Sequence, residues 1–161
     1  MNNLITIGLP SKGRLKEKSL SFFNESGLKI IQSEKERNYF GTIENNPNVK
    51  IIFLHAKEII QRLGDGTLDI GVSGLDLLKE SGKNLQGKIN IQKKLDYGNA
   101  NLVIAVPDDW IDVQTIADLE EISFDVRFKR NTRLRVATKY PNLTNDFLIS
   151  RGVTQYKLIP S

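Results

Sequence analysis

Three loops in this chain combine small residues with charge in a way that suits an anion. Ser11-Lys12-Gly13-Arg14 follows the apolar run Leu4 to Leu9. Ser73-Gly74-Leu75-Asp76 follows a second run, Leu68 to Val72, and the third loop follows Val136-Ala137-Thr138-Lys139-Tyr140. Small residues let backbone N–H groups approach a phosphate, and the start of a helix adds positive potential. Lys12, Arg14 and Lys139 add full charges. Capture of a phosphorylated ligand is the chemistry that fits. Gly and Ser also punctuate strand-to-helix turns for backbone reasons alone, so plain turn chemistry stays open beside it. Neither Gly-x-Gly-x-x-Gly nor the Walker A pattern occurs, which disfavours the nucleotide folds that carry them.

Other residue types narrow the chemistry. Cysteine is absent, which excludes a disulfide framework, a thiolate metal site and a cysteine nucleophile. His55 is the only histidine, so no second one exists to build a metal site or a relay, and a structural role is expected. Asp65 and Asp69, beside a Gly-rich break, read as cap and turn residues. Asp108-Asp109 reads as an N-cap cluster, with Trp110 packing beside it. The run from Arg127 to Arg135 carries five cations but Phe128 is its sole aromatic, so it reads as a solvated basic loop and not as a nucleic-acid footprint. The formal charge of +4 favours an anionic ligand mildly.

The elements that must position these loops alternate between short apolar runs and helical periods. Strands are expected at residues 4–9, 39–43, 49–54, 68–72, 89–95, 101–106, 135–139 and 155–159. Helices are expected at 15–27, 56–63, 75–80, 113–119 and 144–151, with a hairpin turn over Asn45-Asn46-Pro47-Asn48. Residues 81–87 and 124–135 read as loops. This alternation implies an α/β fold with a mostly parallel sheet. Leu95 to Asn101 reads as a hinge between a first lobe, 1–98, and a second, 99–161. No apolar stretch approaches the roughly 20 residues a bilayer demands, and Leu4 to Leu9 is too short for a signal sequence. The expectation is a cytoplasmic protein with no membrane or nucleic-acid partner.

Four blocks together resemble the ATP phosphoribosyltransferases. They are Leu9-Pro10-Ser11-Lys12-Gly13-Arg14-Leu15, the stretch Leu68 to Leu78, Leu95-Asp96-Tyr97-Gly98 with the following Leu102 to Pro107, and Arg135 to Thr144. The resemblance implies two α/β lobes of the type II periplasmic-binding-protein kind, with the active site in the cleft. It implies a glycosyltransferase that joins N1 of ATP to C1 of phosphoribosyl pyrophosphate, with Mg²⁺ on the substrate phosphates and no protein metal site. Pyrophosphate is released in this first step of histidine biosynthesis. Such chemistry asks for positioning and electrostatic stabilisation more than for a side-chain nucleophile.

By the same resemblance Arg14 meets the pyrophosphate, with Lys12 and Gly13 beside it, and Arg37 is a second basic residue for the leaving group. Ser73, Gly74 and Asp76 lie near ATP, Asp96, Tyr97 and Gly98 floor the cleft, and Lys139 and Tyr140 face it from the second lobe. Oligomers of the chain are implied, and in shorter members a regulatory subunit resembling histidyl-tRNA synthetase. The segment from Leu119 to Arg135 is longer and more basic than the family usually has, and it receives no role. The family's acidic strand leading into Thr-Gly-x-Thr-Leu does not occur before Ser161. The second lobe is therefore expected to be incomplete, and residues 1–161 alone are expected to turn over little. A cytoplasmic two-lobed protein that binds a small anion, or an inactive fragment, is the alternative.

Overall fold

The computed structural model describes residues 4–32 and 39–161. It divides into two compact units, one running to Ala100 and the other from Asn101 to Ser161.

The first unit is built on a five-stranded sheet. Its strands are β1 (Ile5–Pro10), β2 (Ile30–Gln32), β3 (Phe40–Ile43), β4 (Asn46–Leu54) and β5 (Ile70–Gly71), in the order β2-β3-β4-β1-β5. Helices α1 (Gly13–Glu25), α2 (Ala56–Gly64), α3 (Leu75–Glu80) and the single turn α4 (Lys83–Gln86) complete it. β1 runs parallel to β4 and β5, while β2–β3 and β3–β4 are antiparallel. The sheet is thus mixed and not mostly parallel. The physical reason is the hairpin: Glu44-Asn45 make its turn, Asn45 sits at φ 61, and β4 already begins at Asn46. So short a connection admits only antiparallel neighbours.

Alternation along β4 sends Val49, Ile51 and Phe53 to one face, where they meet Ile7 and Leu9 of β1 and Phe23 of α1. Leu9 and Ile51 are fully buried, and each such side chain contributes about 1.5–3 kcal/mol. α2 lies close to the backbone where Gly8 and Gly71 pair across β1 and β5. A Cβ on Gly71 would stand 2.5 Å from Ile59 Cγ2, and one on Gly8 2.6 Å from Leu68 Cδ1. Small residues here let the helix seat Ile59 and Ile60 in the core.

The second unit holds α5 (Ile116–Arg130), β6 (Leu134–Thr138), α6 (Pro141–Ser150) and β7 (Tyr156–Pro160). β6 and β7 form a two-stranded parallel sheet. Leu119, Leu148, Val153 and Tyr156 are its buried core, with Ile104, Val106, Leu134, Val136 and Leu158 packed against them.

Several expected elements differ. β5 is reduced to two residues, and 83–86 form a helical turn within the expected loop. Residues 89–95 and 101–106 join no ladder. Ile104 and Val106 still turn toward the second core while Val103 is 71% exposed. The alternation of a strand is there without a partner for its backbone. α5 runs through most of the stretch read as a basic loop. Thr115 and Asp118 form a reciprocal capping box at its start, with Thr115 N donating to Asp118 Oδ2 at 2.7 Å. Arg127, Lys129 and Arg130 fall in its last turn, where the helix dipole favours cations, and Asn131 ends it in the left-handed region at φ 47. Among the described residues no helix is long and apolar enough to cross a membrane.

Candidate anion-binding site

The loops after β1, β4 and β5 share one end of the first unit's sheet, because those three strands are parallel neighbours. Ser11 N donates to Leu54 O at 2.8 Å, which ties the first loop to the end of β4. Lys12 is the extended N-cap residue of α1, and its side chain makes no capping hydrogen bond. Its first turn carries no acidic residue. Gly13 sits at φ +68 with open space where a Cβ would be. Lys12 and Arg14 are exposed and, among the described residues, pair with no carboxylate. A helix start without a capping bond from its N-cap side chain, flanked by these two cations, attracts an anion through both dipole and charge.

The second loop is braced differently. Ser73 Oγ donates to Ala56 O at 2.7 Å, joining the loop to the start of α2. Gly74 is the N-cap residue of α3, and Asp76 lies in that helix's first turn. A Cβ on Gly74 would stand 2.2 Å from Asp76 Oδ1, so the carboxylate is folded back over the glycine. The turn 96–98 reaches α1 from the far end of the unit. Asp96 and Gly98 hold φ of 57 and 73, and Tyr97 Oη is 3.1 Å from Ser19 Oγ. The first unit therefore sets 96–98 against Leu15, Lys18 and Ser19 of α1, the helix that Lys12, Gly13 and Arg14 open, and puts Ser73, Gly74 and Asp76 after the neighbouring strand β5.

Lys139 and Tyr140 belong to the second unit, between β6 and α6. Lys139 is exposed and Tyr140 half-buried. Tyr140 N donates to Thr138 Oγ1 at 3.0 Å, and Thr138 Oγ1 lies 2.9 Å from Thr144 Oγ1. The two threonines that shape this loop were quoted in the sequence motifs but given no role of their own. A Thr two residues ahead of a turn amide was the available signal. Ser19 was given no role either, since nothing local marks a helical serine as the support of a residue far along the chain. Arg37 lies outside the described residues.

The remaining polar groups serve the fold. Asp69 Oδ2 accepts from Thr6 N at 2.7 Å. Hydrogen bonds from the Thr67 side chain and backbone hold Asp65 below the usual carboxylate range, and those from Thr115 do the same for Asp118. Burial pushes the Tyr156 phenol up, and Asp146 adds to it. His55 is the N-cap residue of α2, and its carbonyl accepts from Ile59 N at 3.1 Å. Asp108 and Asp109 cap no helix. They sit in a turn closed by Trp110 N on Pro107 O, and the cap falls to Thr115. Among the described residues no three His, Cys, Asp or Glu side chains gather to hold a metal ion.

A sequence model described as HisG, ATP phosphoribosyltransferase, matches residues 55–161. The chain belongs to the ATP phosphoribosyltransferase family. It is 43% identical over 161 residues to an ATP phosphoribosyltransferase of Nitrobacter winogradskyi, covering 100% of this chain and 50% of that protein. It is 40% identical over 158 residues to that of Brucella melitensis biotype 2, covering 98% of this chain and 68% of the relative. The chain thus spans half to two-thirds of these relatives' lengths. A solved structure titled an ATP phosphoribosyl transferase (HisG:HisZ) complex from Thermotoga maritima matches with a TM-score of 0.59 at 21% identity. That match covers 98% of this chain and 63% of the other. At such identity the likeness speaks to the fold alone. In this ATP phosphoribosyltransferase family member the matched span of the family model takes in 73–76, 96–98 and 139–140. Lys12 and Arg14 precede that span but fall within the full-length match to the Nitrobacter relative.

Proposed function

We propose that the chain takes part in the reaction for which its relatives are named, transfer of a phosphoribosyl group to ATP. The N1 lone pair of adenine attacks C1 of phosphoribosyl pyrophosphate, the C1–N1 bond forms, and the C1–O bond to pyrophosphate breaks with its electron pair leaving on oxygen. No protein nucleophile takes part, which agrees with a chain lacking cysteine and holding one histidine. The observation that carries the reading is the start of α1, which lacks a side-chain cap from its N-cap residue and whose Lys12 and Arg14 pair with no carboxylate among the described residues. Arg14 neutralises charge as pyrophosphate departs, and Lys12 and the backbone at Gly13 hold it. Arg37 is proposed as a second cation for the leaving group. Ser73, Gly74 and Asp76 are proposed beside ATP, Asp96 to Gly98 at the floor of the site, and Lys139 and Tyr140 as its contribution from the second unit.

The two units are read as lobes of the type II periplasmic-binding kind, divided near residues 98–99. Mg²⁺ finds no cage among the described residues. When bound with the substrates it would lie on their phosphates and screen their charge. A second subunit is proposed because the Thermotoga structure is a HisG:HisZ complex, and is taken to be the regulatory, histidyl-tRNA-synthetase-like kind; association of like chains and a cytoplasmic setting are proposed from the same family reading. Residues 1–161 by themselves are proposed to bind ligand with little turnover.

Calorimetry with pyrophosphate and ATP, together with a chromatographic assay for phosphoribosyl-ATP, tests the proposal. The chain binds pyrophosphate, and Arg14→Ala weakens that binding about 10-fold or more, as loss of a charge-assisted hydrogen bond predicts. Failure of the unmodified chain to bind either ligand, or an Arg14→Ala protein that binds pyrophosphate as tightly, overturns the assignment. Binding of simple anions with no preference for these ligands would instead favour an anion-binding protein.

A further inference from the structure

Residues 93–98 lie along α1 as a strap, where sequence periodicity expected a strand to end. Three contacts march back along the helix. Lys93 Nζ stands 5.5 Å from the ring centroid of Phe22, and Lys18 Nζ stands 5.8 Å from that of Tyr97. A Cβ on Gly98 would reach within 2.9 Å of Leu15 Cδ2. The strap thus runs from the last turns of α1 toward its first and finishes beside Leu15, the residue after Arg14. Its final turn is held by two residues of positive φ, Asp96 and Gly98, on either side of Tyr97.

The polar link in this strap has a direction. Ser19 is fully buried, and its hydroxyl donates to Leu15 O at 2.6 Å. Its one proton is committed there, so the 3.1 Å contact with Tyr97 runs from the phenol: Tyr97 O–H donates to Ser19 Oγ. A serine bonding back to the carbonyl four residues earlier gives a helix no stability and tends to bend it, and alanine is the better helix former. Helix stability therefore does not account for Ser19. Its hydroxyl does one thing alanine cannot, which is to receive Tyr97.

We infer that Ser19 is a positioning residue: through Tyr97 it clamps the turn 96–98 against the first turns of α1, so that the anion loop and the segment leading to the second unit act as one body. The link to the anion loop rests on the reading of Lys12 to Arg14 proposed above. Linkage makes it reciprocal, so an anion on the loop also tightens the turn.

Amide hydrogen exchange on the full chain tests this, in the unmodified protein, Ser19→Ala, Tyr97→Phe and the double variant. Each single variant speeds exchange at 95–98 about tenfold, the effect of one lost hydrogen bond. The double variant is no faster than either single one, because both remove the same link. The urea midpoint of Ser19→Ala does not fall, whereas a merely structural serine would lower it or leave 95–98 untouched. Saturating pyrophosphate slows exchange at 95–98 in the unmodified protein and not in Ser19→Ala. Unchanged exchange at 95–98 in both single variants, or additive effects in the double, overturns the clamp. Pyrophosphate that binds without slowing 95–98 overturns the coupling and leaves the anion site standing. Absence of pyrophosphate binding with faster exchange in the variants removes the anion-site reading and upholds the clamp.

Discussion

Replacing Gly13 by alanine tests whether the left-handed turn at the head of α1 is what presents the anion site. Gly13 holds φ +68, and nothing lies within 4 Å of where its Cβ would be. The substitution therefore meets no clash, and its whole effect is backbone strain, about 1–2 kcal/mol for a residue other than glycine in this region. Gly66 supplies the control. It holds φ +79, again with nothing within 4 Å, but it lies between α2 and β5, at the opposite end of the strands from the loops. Gly66→Ala loses the same 1–2 kcal/mol in a urea titration and keeps its affinity for pyrophosphate. In Gly13→Ala the turn, open on the side of the new Cβ, relaxes out of the left-handed region and swings its N–H groups away. Calorimetry then shows pyrophosphate affinity reduced about 5- to 30-fold, the factor that 1–2 kcal/mol represents. Equal pyrophosphate affinity in Gly13→Ala and the unmodified protein refutes the reasoning, because the turn would then have no part in holding the anion. A Gly66→Ala protein that also loses affinity refutes it too, by showing that general loosening suffices.

Two predictions concern the second unit. Leu148 is 1% exposed in a core of four buried side chains, so Leu148→Ala destabilises by about 2–5 kcal/mol in urea unfolding, through lost transfer energy and the cavity left behind. The capping box yields a pH test. Asp118 is held below its ordinary 3.8 by Thr115, so the folded state is the weaker proton binder. Its contribution is present above the ordinary value and is lost as pH falls through the lower folded one. Asp118→Asn should flatten the acid limb of a plot of Tm against pH between about pH 2 and 5, the range in which a depressed carboxylate titrates; an unchanged acid limb would show that the box is not formed in solution.

Local chemistry was legible in the sequence wherever the physical cause is local. The apolar run of β1, the loop that opens α1 and the amphipathic face of α2 with Ile59 and Ile60 all follow from neighbours within a turn or two, as does the helix expected at 144–151, which the structure starts three residues earlier at Pro141. The three candidate loops were legible for the same reason, since glycine, serine and cations close in sequence are also close in space. The second half of α5 was obscured by its own charge: Arg127, Lys129 and Arg130 read as a solvated run, although they complement the end of a helix begun by Thr115.

What the tertiary structure decided is which segments pair. The apolar runs at 89–95 and 101–106 have the composition of strands, but a strand exists only where another backbone offers its N–H and C=O groups. At 93–98 side-chain contacts with α1 take the place of a ladder, and at 101–106 the apolar residues dock on a core without one. The bond from Tyr97 to Ser19 spans 78 positions. Residue types and spacing told which loops could meet an anion. The long-range closure of the chain, which no local pattern records, decided that the turn 96–98 lies against the helix that opens with Lys12, Gly13 and Arg14.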